Sequence, residues 1–283
     1  MSFSSILSIP AFTTIQEILT DSSAADKFLF EKGALYPQPV CSTCSGPTKR
    51  KGDLWVCLKK RCAKAVSIYR GSFFGNARLN CAQILHIAYL WLCKVPSSSA
   101  TIMTGHNKNT ISNYFGFLNQ LAGDNIREED TVIGGQDIIV EVDECKIAKR
   151  KYNRGHRVDG AWIVGSVERT AERRVFVVRV QDRSAETLRD VISRYVKQGS
   201  SIHTDLWKGY SGLAELGIEH GTVNHSKHFK DPETGIHTNT IEGTWAGLKR
   251  AIPVRNRSKD SVDEHLQCFI WRRQNERDLW VDS

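Results

Sequence analysis

The sequence predicts a mixed α/β (α+β) fold in which one catalytic-sized domain follows two small modules, and three observations carry that reading. The chain has 283 residues, longer than one average domain and enough to bury a sizeable core. Four cysteines, Cys41, Cys44, Cys57 and Cys62, cluster in a basic N-terminal segment. After residue 136 the pattern reads strand, strand, strand, helix, strand, helix, and its first strand, Asp137 to Cys145, runs through β-branched apolar residues to end on Glu141, Asp143 and Glu144. A buried strand that finishes on three carboxylates calls for a cationic partner at that end. Side chains alternate across a strand, which sets Glu141 and Asp143 on one face and Glu144 on the other. Asp143 is the candidate for the site. The plainer alternative is a solvated strand end entering a polar loop.

Composition narrows the class. A hydrophobic share of 40% and a charged share of 25% are those of an ordinary globular protein. No uninterrupted apolar run approaches the roughly 18 residues of a membrane span. The N-terminus also lacks a basic region followed by an apolar one, so a soluble intracellular protein is expected. A formal charge of +8 and a pI near 9.1 suggest a polyanionic partner. Lys49, Arg50, Lys51, Lys59, Lys60, Arg61, Lys64 and Arg70 crowd one segment, and Lys146, Lys149, Arg150, Lys151, Arg154 and Arg157 follow the acidic strand end. Such flanks hold phosphates beside a carboxylate site. Cys81, Cys93, Cys145 and Cys268 fall within apolar patterns, where reduced cysteine behaves as a small hydrophobe.

In order, residues 1–36 offer two helices, Thr13 to Leu19 and Ala24 to Phe30, of unreadable role. Residues 37–75 form a zinc-ribbon-like module. Cys41-x2-Cys44 and Cys57-x4-Cys62 could close a tetrahedral structural Zn²⁺ site and so fold a segment too short and too basic to hold itself together. The second pair departs from the usual two-residue spacing, and free cysteines are the alternative. Residues 78–124 give a helical module. Asn80 caps a helix through Leu92, and Ser97–Met103 and Lys108–Leu121 flank a turn at Gly105, the outline of a helix-turn-helix. Lys108 and Asn109 are among the polar residues it would offer to a DNA groove, although three packed helices without DNA contact have the same look. Residues 125–136 read as a polar, acidic linker.

In residues 137–283, Ala161–Val167 and Val175–Val180 form a hairpin. Ser184 caps an amphipathic helix that Gly199 ends. Ser201–Asp205 is a strand that again stops on an acid, and Thr222–Asn224 is a further short strand. A helix opens near Asn239 with Glu242 in its first turn, and Ser261 with Glu264 makes a capping box for the last helix. Neighbouring strand ends can bring Asp143 and Asp205 together, and the following helix can deliver Glu242. Such a cluster repels itself unless it binds divalent cations, which suits two Mg²⁺ (or Mn²⁺) ions. Asp205 could instead cap the turn after it, and Glu242 could complete a cap begun by Asn239. His225, His228 and His237 are read as hydrogen-bonding or phosphate-contacting groups ahead of a zinc site. The tryptophans at 162, 207, 245 and 271 are read mainly as core, with at most one or two able to stack on an unpaired base.

Val140-Glu-Val-Asp-Glu144, Gly160-Ala-Trp-Ile-Val-Gly165, Asp182-Arg-Ser-Ala-Glu-Thr187, His203-Thr-Asp-Leu-Trp-Lys-Gly-Tyr210, Val223-Asn-His-Ser-Lys227 and His237-Thr-Asn-Thr-Ile-Glu-Gly-Thr-Trp245 resemble the ISXO2-like (IS1595-related) transposases. Ile252-Pro-Val-Arg-Asn-Arg257 and the segment Glu264 to Arg273 resemble their eukaryotic Merlin branch. The resemblance covers Cys41 to Arg277. It implies an RNase H-like catalytic domain whose DDE triad is Asp143, Asp205 and Glu242, preceded by a zinc ribbon and helix-turn-helix that bind terminal inverted repeats. It implies metal-dependent cleavage at those repeats and strand transfer into target DNA by a homodimer or larger assembly. Lys208, His225, Lys227, His237, Lys249 and Arg250 become candidates for contacts to the DNA or the scissile phosphate. The eukaryotic branch implies a nuclear protein; a bacterial source would place it at the nucleoid. A host-adopted, non-cleaving DNA-binding or regulatory protein is the alternative.

Overall fold

The structure, a computed structural model, describes residues 9–147, 160–213, 217–224, 230–253, 256–257, 262–276 and 279–280. The chain divides into two units, Met1–Leu118 and Asn119–Ser283, and the division falls within one helix.

The first unit opens with α1 (Phe12–Thr20) and α2 (Ser22–Glu31), where the apolar spacing places them. Asp21 caps α2 by accepting from the Ala24 N–H at 2.7 Å. Next come β1 (Thr48–Lys51), β2 (Leu54–Cys57) and β3 (Ala65–Ser67), a three-stranded antiparallel sheet. Strands this short bury little, and α2 is tied to them by a buried acid. Asp26 accepts from Arg50 of β1 at 2.8 Å and from the Tyr69 hydroxyl at 3.1 Å. The N-terminal segment of unreadable role thus shares the basic module's framework. The sheet is followed by α3 (Cys81–Leu92), α4 (Ser97–Thr104) and α5 (Lys108–Asp124). Asn80 and Gln83 form a reciprocal capping box on α3. Gly105, at φ 70°, ends α4, and Asn107 accepts the Thr110 N–H at 2.8 Å to start α5. Ala25, Leu29, Leu35, Phe74, Ala82 and Ile84 make the core. Cys81 is buried with them, but Cys93 is exposed, contrary to its apolar pattern, because it sits one residue past the last turn of α3.

The second unit is built on a five-stranded sheet of β4 (Ile139–Lys146), β5 (Trp162–Glu168), β6 (Val175–Val180), β7 (Ser201–Asp205) and β8 (Glu219–Val223). Its spatial order is β6-β5-β4-β7-β8. The first three strands are antiparallel neighbours, whereas β4 pairs β7, and β7 pairs β8, in parallel. A parallel pair needs a crossover, which α6 (Ala185–Tyr195) supplies between β6 and β7. The alternation of β4 divides the core. Val140 and Val142 pack with Val164, Phe176, Leu188, Ile192 and Ile202 on the α6 side. Cys145 packs with Ile163, Val167, Val175 and Val177 against α7 (Asn239–Ala251) and α8 (Val262–Gln274). Leu266 and Ile270 of α8 face this core, with Phe269 partly buried beside them.

Two boundaries differ from the sequence reading, and a third expected one falls outside the described residues. The amphipathic helix stops at Tyr195 instead of Gly199, because Ile133 donates to the Tyr195 carbonyl and accepts from the Lys197 N–H, drawing Val196 into a parallel bridge. Gly199, at φ 81°, turns the chain after that. The short strand near Thr222 begins earlier, at Glu219, in register with Ser201. Ser261, expected to cap α8, lies outside the described residues.

Truncating Ile192, which is fully buried on α6, removes apolar volume from the centre of one sheet face. Ile192→Ala is expected to lower stability by about 2–5 kcal/mol. Arg194→Ala, at a surface position of the same helix, should change it by less than about 0.5 kcal/mol, both read by urea unfolding.

Candidate active site and cysteine cluster

The acid-terminated strand β4 is central in its sheet, and its odd-numbered face looks towards α7. On that face Glu141 is fully buried. Such a charge needs several donors. Four are present: the N–H groups of Thr240 and Ile241 at 2.8 and 2.9 Å, the Thr240 hydroxyl at 2.9 Å and Arg169 Nε at 2.6 Å. The first turn of a helix carries unpaired N–H groups and partial positive charge, and Glu141 answers both. Neither Asn239 nor the N-cap Thr238 supplies a side-chain cap, so α7 is started by an acid nearly a hundred residues upstream. Arg169 also donates to the His237 carbonyl. His237 Nδ1 accepts from the Asn239 N–H at 3.4 Å and lies 3.5 Å from Glu141. Burial, then the nearby Arg169, pushes its imidazole below the ordinary range.

Two residues further along β4, Asp143 accepts from Trp245 Nε1 at 2.8 Å. The indole reaches it because Asp143 is paired with Gly165 of β5, where any Cβ would overlap the Trp245 ring. β4 and β7 pair Glu141 with His203; continuing that register by two residues sets Asp205 level with Asp143, on the same face and one strand away. Burial raises the Asp143 pKa, against the pull of the Trp245 bond, and the charge of Asp205 adds to the rise. Asp205 uses Oδ1 to accept the Trp207 N–H at 2.9 Å, so the turn-capping role holds for one of its oxygens. Glu242 lies in the first turn of α7, one turn before Trp245, and is exposed.

Glu144 occupies the opposite face. Burial, followed by the charges of Asp143 and Asp205, lifts it to about 7. Tyr210 donates to its Oε2 at 3.0 Å and Arg183 stands 4.0 Å from its Oε1. Burial, then the nearby Arg169, pushes the imidazole of His203, next to Glu141 across the strands, below its ordinary range. The sequence reading did not single out Arg169, Gly165 or Tyr210, and it has Trp245 mainly as core, without the bond to Asp143. One signal for Trp245 was available: a glycine in mid-strand marks a close approach.

Of the polar candidates, Lys208, on a short 3₁₀ turn Lys208–Tyr210, and Lys249 and Arg250, in the last turn of α7, are exposed. Lys108 and Asn109 are exposed at the start of α5, and Lys49 is exposed on β1. Arg50 is committed to Asp26 and lies over the Phe30 ring. Lys149, Arg150, His225, Lys227 and His228 lie outside the described residues.

The sulfurs of Cys41, Cys44, Cys57 and Cys62 all lie within 4.8 Å of one another, with 3.8 Å between Cys41 and Cys62 and 3.5 Å between Cys44 and Cys57. A tetrahedral zinc with bonds of about 2.3 Å separates its sulfurs by about 3.8 Å, so this donor set fits the ion. Left-handed residues, Ser45 at φ 51° and Ala63 at φ 45°, follow each pair, and the longer Cys57–Cys62 turn still returns its sulfur to the cluster. Backbone N–H groups of Thr43 and Cys44 hold the Cys41 thiol down to about 6, whereas Cys57, despite its backbone bond from Lys59, is pushed up to about 12 by burial and the neighbouring sulfurs, and Cys62 is raised as well. Among the described residues no other group of three or more candidate ligands is drawn this close.

An uncharacterized transposase-like protein of Haemophilus influenzae is 30% identical over 103 residues, which cover 36% of this chain and 82% of that protein. The chain is therefore of transposase type. Residues 120–273, more than half of it, match the ISXO2-like transposase domain, and the chain belongs to that family. A solved chain from the cryoEM structure of a simian T-cell lymphotropic virus intasome in complex with PP2A regulatory subunit B56 gamma is 14% identical, with a TM-score of 0.29. That match covers 66% of this chain and spans 64% of the other.

Two outcomes are expected. Glu141→Ala should destabilise the second unit by about 3–5 kcal/mol in urea unfolding, because it leaves Arg169 and the N-terminus of α7 unanswered. The purified protein should carry one zinc per chain by elemental analysis. Cys44→Ser should lower that content, and a chelator should expose the 37–75 segment to protease.

Proposed function

We propose that the chain is a DNA transposase that cleaves the terminal inverted repeats of a mobile element and transfers the 3′-hydroxyl ends into target DNA. The observation that carries this is that the charge of Asp205, on the neighbouring parallel strand, acts on Asp143, while α7, whose first turn carries Glu242, is bound to the same central strand through Glu141. Three antiparallel strands extended by two parallel ones, with helices on both faces, support an RNase H-like reading of this unit. Family membership supports divalent-metal chemistry. Burial and like charge raise Asp143 and Glu144, a donor set suited to hard cations. Asp143, Asp205 and Glu242 would hold two Mg²⁺ or Mn²⁺ ions. When bound, these activate a water or a 3′-hydroxyl and stabilise the leaving oxygen.

The chain's own groups do the positioning. Trp245 fixes one oxygen of Asp143, and the Trp207 backbone N–H fixes one oxygen of Asp205. Glu141 sets the start of α7 and hence the place of Glu242. His237, at that same helix start, is placed to orient the scissile phosphate, and Lys208, Lys249 and Arg250 to hold backbone phosphates. In the first unit the cysteine cluster acts as a zinc ribbon and α4–α5 as a helix-turn-helix, together reading the inverted repeats. Joining two ends calls for a homodimer or larger assembly, and the closing segments support the Merlin branch and a nuclear site of action.

The test is Mg²⁺-dependent cleavage and strand transfer on DNA carrying the element's ends. Asp143→Ala, Asp205→Ala and Glu242→Ala should each fall to the uncatalysed background while DNA binding is kept. Wild-type activity in any one of them removes that residue from the triad. A wild type that binds the ends without cutting them returns the chain to the adopted DNA-binding class.

A further inference from the structure

On the sheet face opposite Glu141 and Asp143, beside the buried Glu144, lies a row of aromatic and cationic side chains whose rings and charges the proposed reaction does not use. Lys146 Nζ stands 5.4 Å over the Trp162 ring. The Arg183 guanidinium lies 4.8 Å from Trp162 and 3.7 Å from Trp207. Lys146 and Trp162 are register partners at the end of β4 that carries Asp143 and Glu144, and Trp207 follows Asp205 by two residues, so the row borders the site. Trp207 is held on three sides. Its N–H is bound to Asp205, its Nε1 donates to the Arg183 carbonyl at 3.4 Å, and its pyrrole edge packs over Gly209, where a Cβ would lie 2.7 Å from Nε1. Yet 36% of the residue remains exposed, beside a still more open Leu206.

An exposed indole of fixed orientation, with one cation against it and a second indole between cations alongside, has the chemistry of a platform for an unpaired nucleobase, with phosphates on the cations. A double helix keeps its bases stacked and offers no free ring face. We propose that Lys146, Trp162, Arg183 and Trp207 form a docking site for the single-stranded end of the DNA substrate, with a base stacked on Trp207. This rests on the transposase reading and adds to it the state of the strand that enters the site.

The test uses the full chain without Mg²⁺ and two fluorescent probes, a blunt duplex and the same duplex with a short single-stranded 3′ extension. Wild type should bind the extended probe more tightly. Trp207→Ala should weaken binding of the extended probe by roughly 5- to 150-fold and leave the blunt duplex unchanged, while Trp207→Phe keeps most of the preference. Lys146→Ala should lower the salt slope for the extended probe by about one and leave the blunt slope alone. Should Trp207→Ala melt at a lower temperature than wild type, the Lys146→Ala slope decides in its place, and an unchanged slope overturns the inference. A preference that survives Trp207→Ala, or equal wild-type affinity for the two probes, overturns it too and leaves the transposase reading standing. Failure to bind either probe overturns both.

Discussion

A carboxylate with no access to water, fixed on the central strand of a sheet, has to be met by donors or it unfolds the strand. Glu141 meets that requirement by taking the first turn of α7, the guanidinium of Arg169 and a threonine hydroxyl. Everything else about the site depends on it. The helix cannot slide along the sheet while its first N–H groups are bound, so Trp245 falls opposite Gly165 and reaches Asp143, and Glu242 sits at a fixed distance along the helix axis from both. Arg169, which also holds the His237 carbonyl, closes the loop leading into the helix.

The catalytic-sized unit was legible where a local rule decided the outcome. The strands that carry Asp143 and Asp205, the Ser184 cap and the hairpin between residues 168 and 175 follow from alternation, capping and turn chemistry within a few residues. Misreadings arose where a distant partner decided. Gly199 looked like a helix end, but Ile133, more than sixty residues earlier, pulls Val196 out of the helix first. Glu141 was placed on the correct face by alternation, yet its task is invisible without α7. Trp245 was read as core and is core; that one edge of it serves Asp143 depends on which residue β5 sets beneath it.

The cysteine cluster shows a different kind of legibility. Its ligands are named by residue type alone, and the unusual four-residue spacing only lengthens a turn that left-handed backbone at Ala63 brings back. The surrounding basic residues were harder to sort, because charge does not say whether a side chain faces solvent or a buried acid. Arg50 reads like its neighbours and is instead the partner of Asp26, joining the N-terminal helices to the small sheet.

The tie between Glu141 and Thr240 also fixes when the site can come into being. The two residues are 99 positions apart, so synthesis delivers the sheet acid long before the helix that answers it. Until Asn239 and its successors have emerged and docked, Glu141 is an unpaired charge and Asp143 lacks its indole. Assembly of the acidic centre thereby waits on that helix, and a product truncated before it retains the first unit with an unfinished centre.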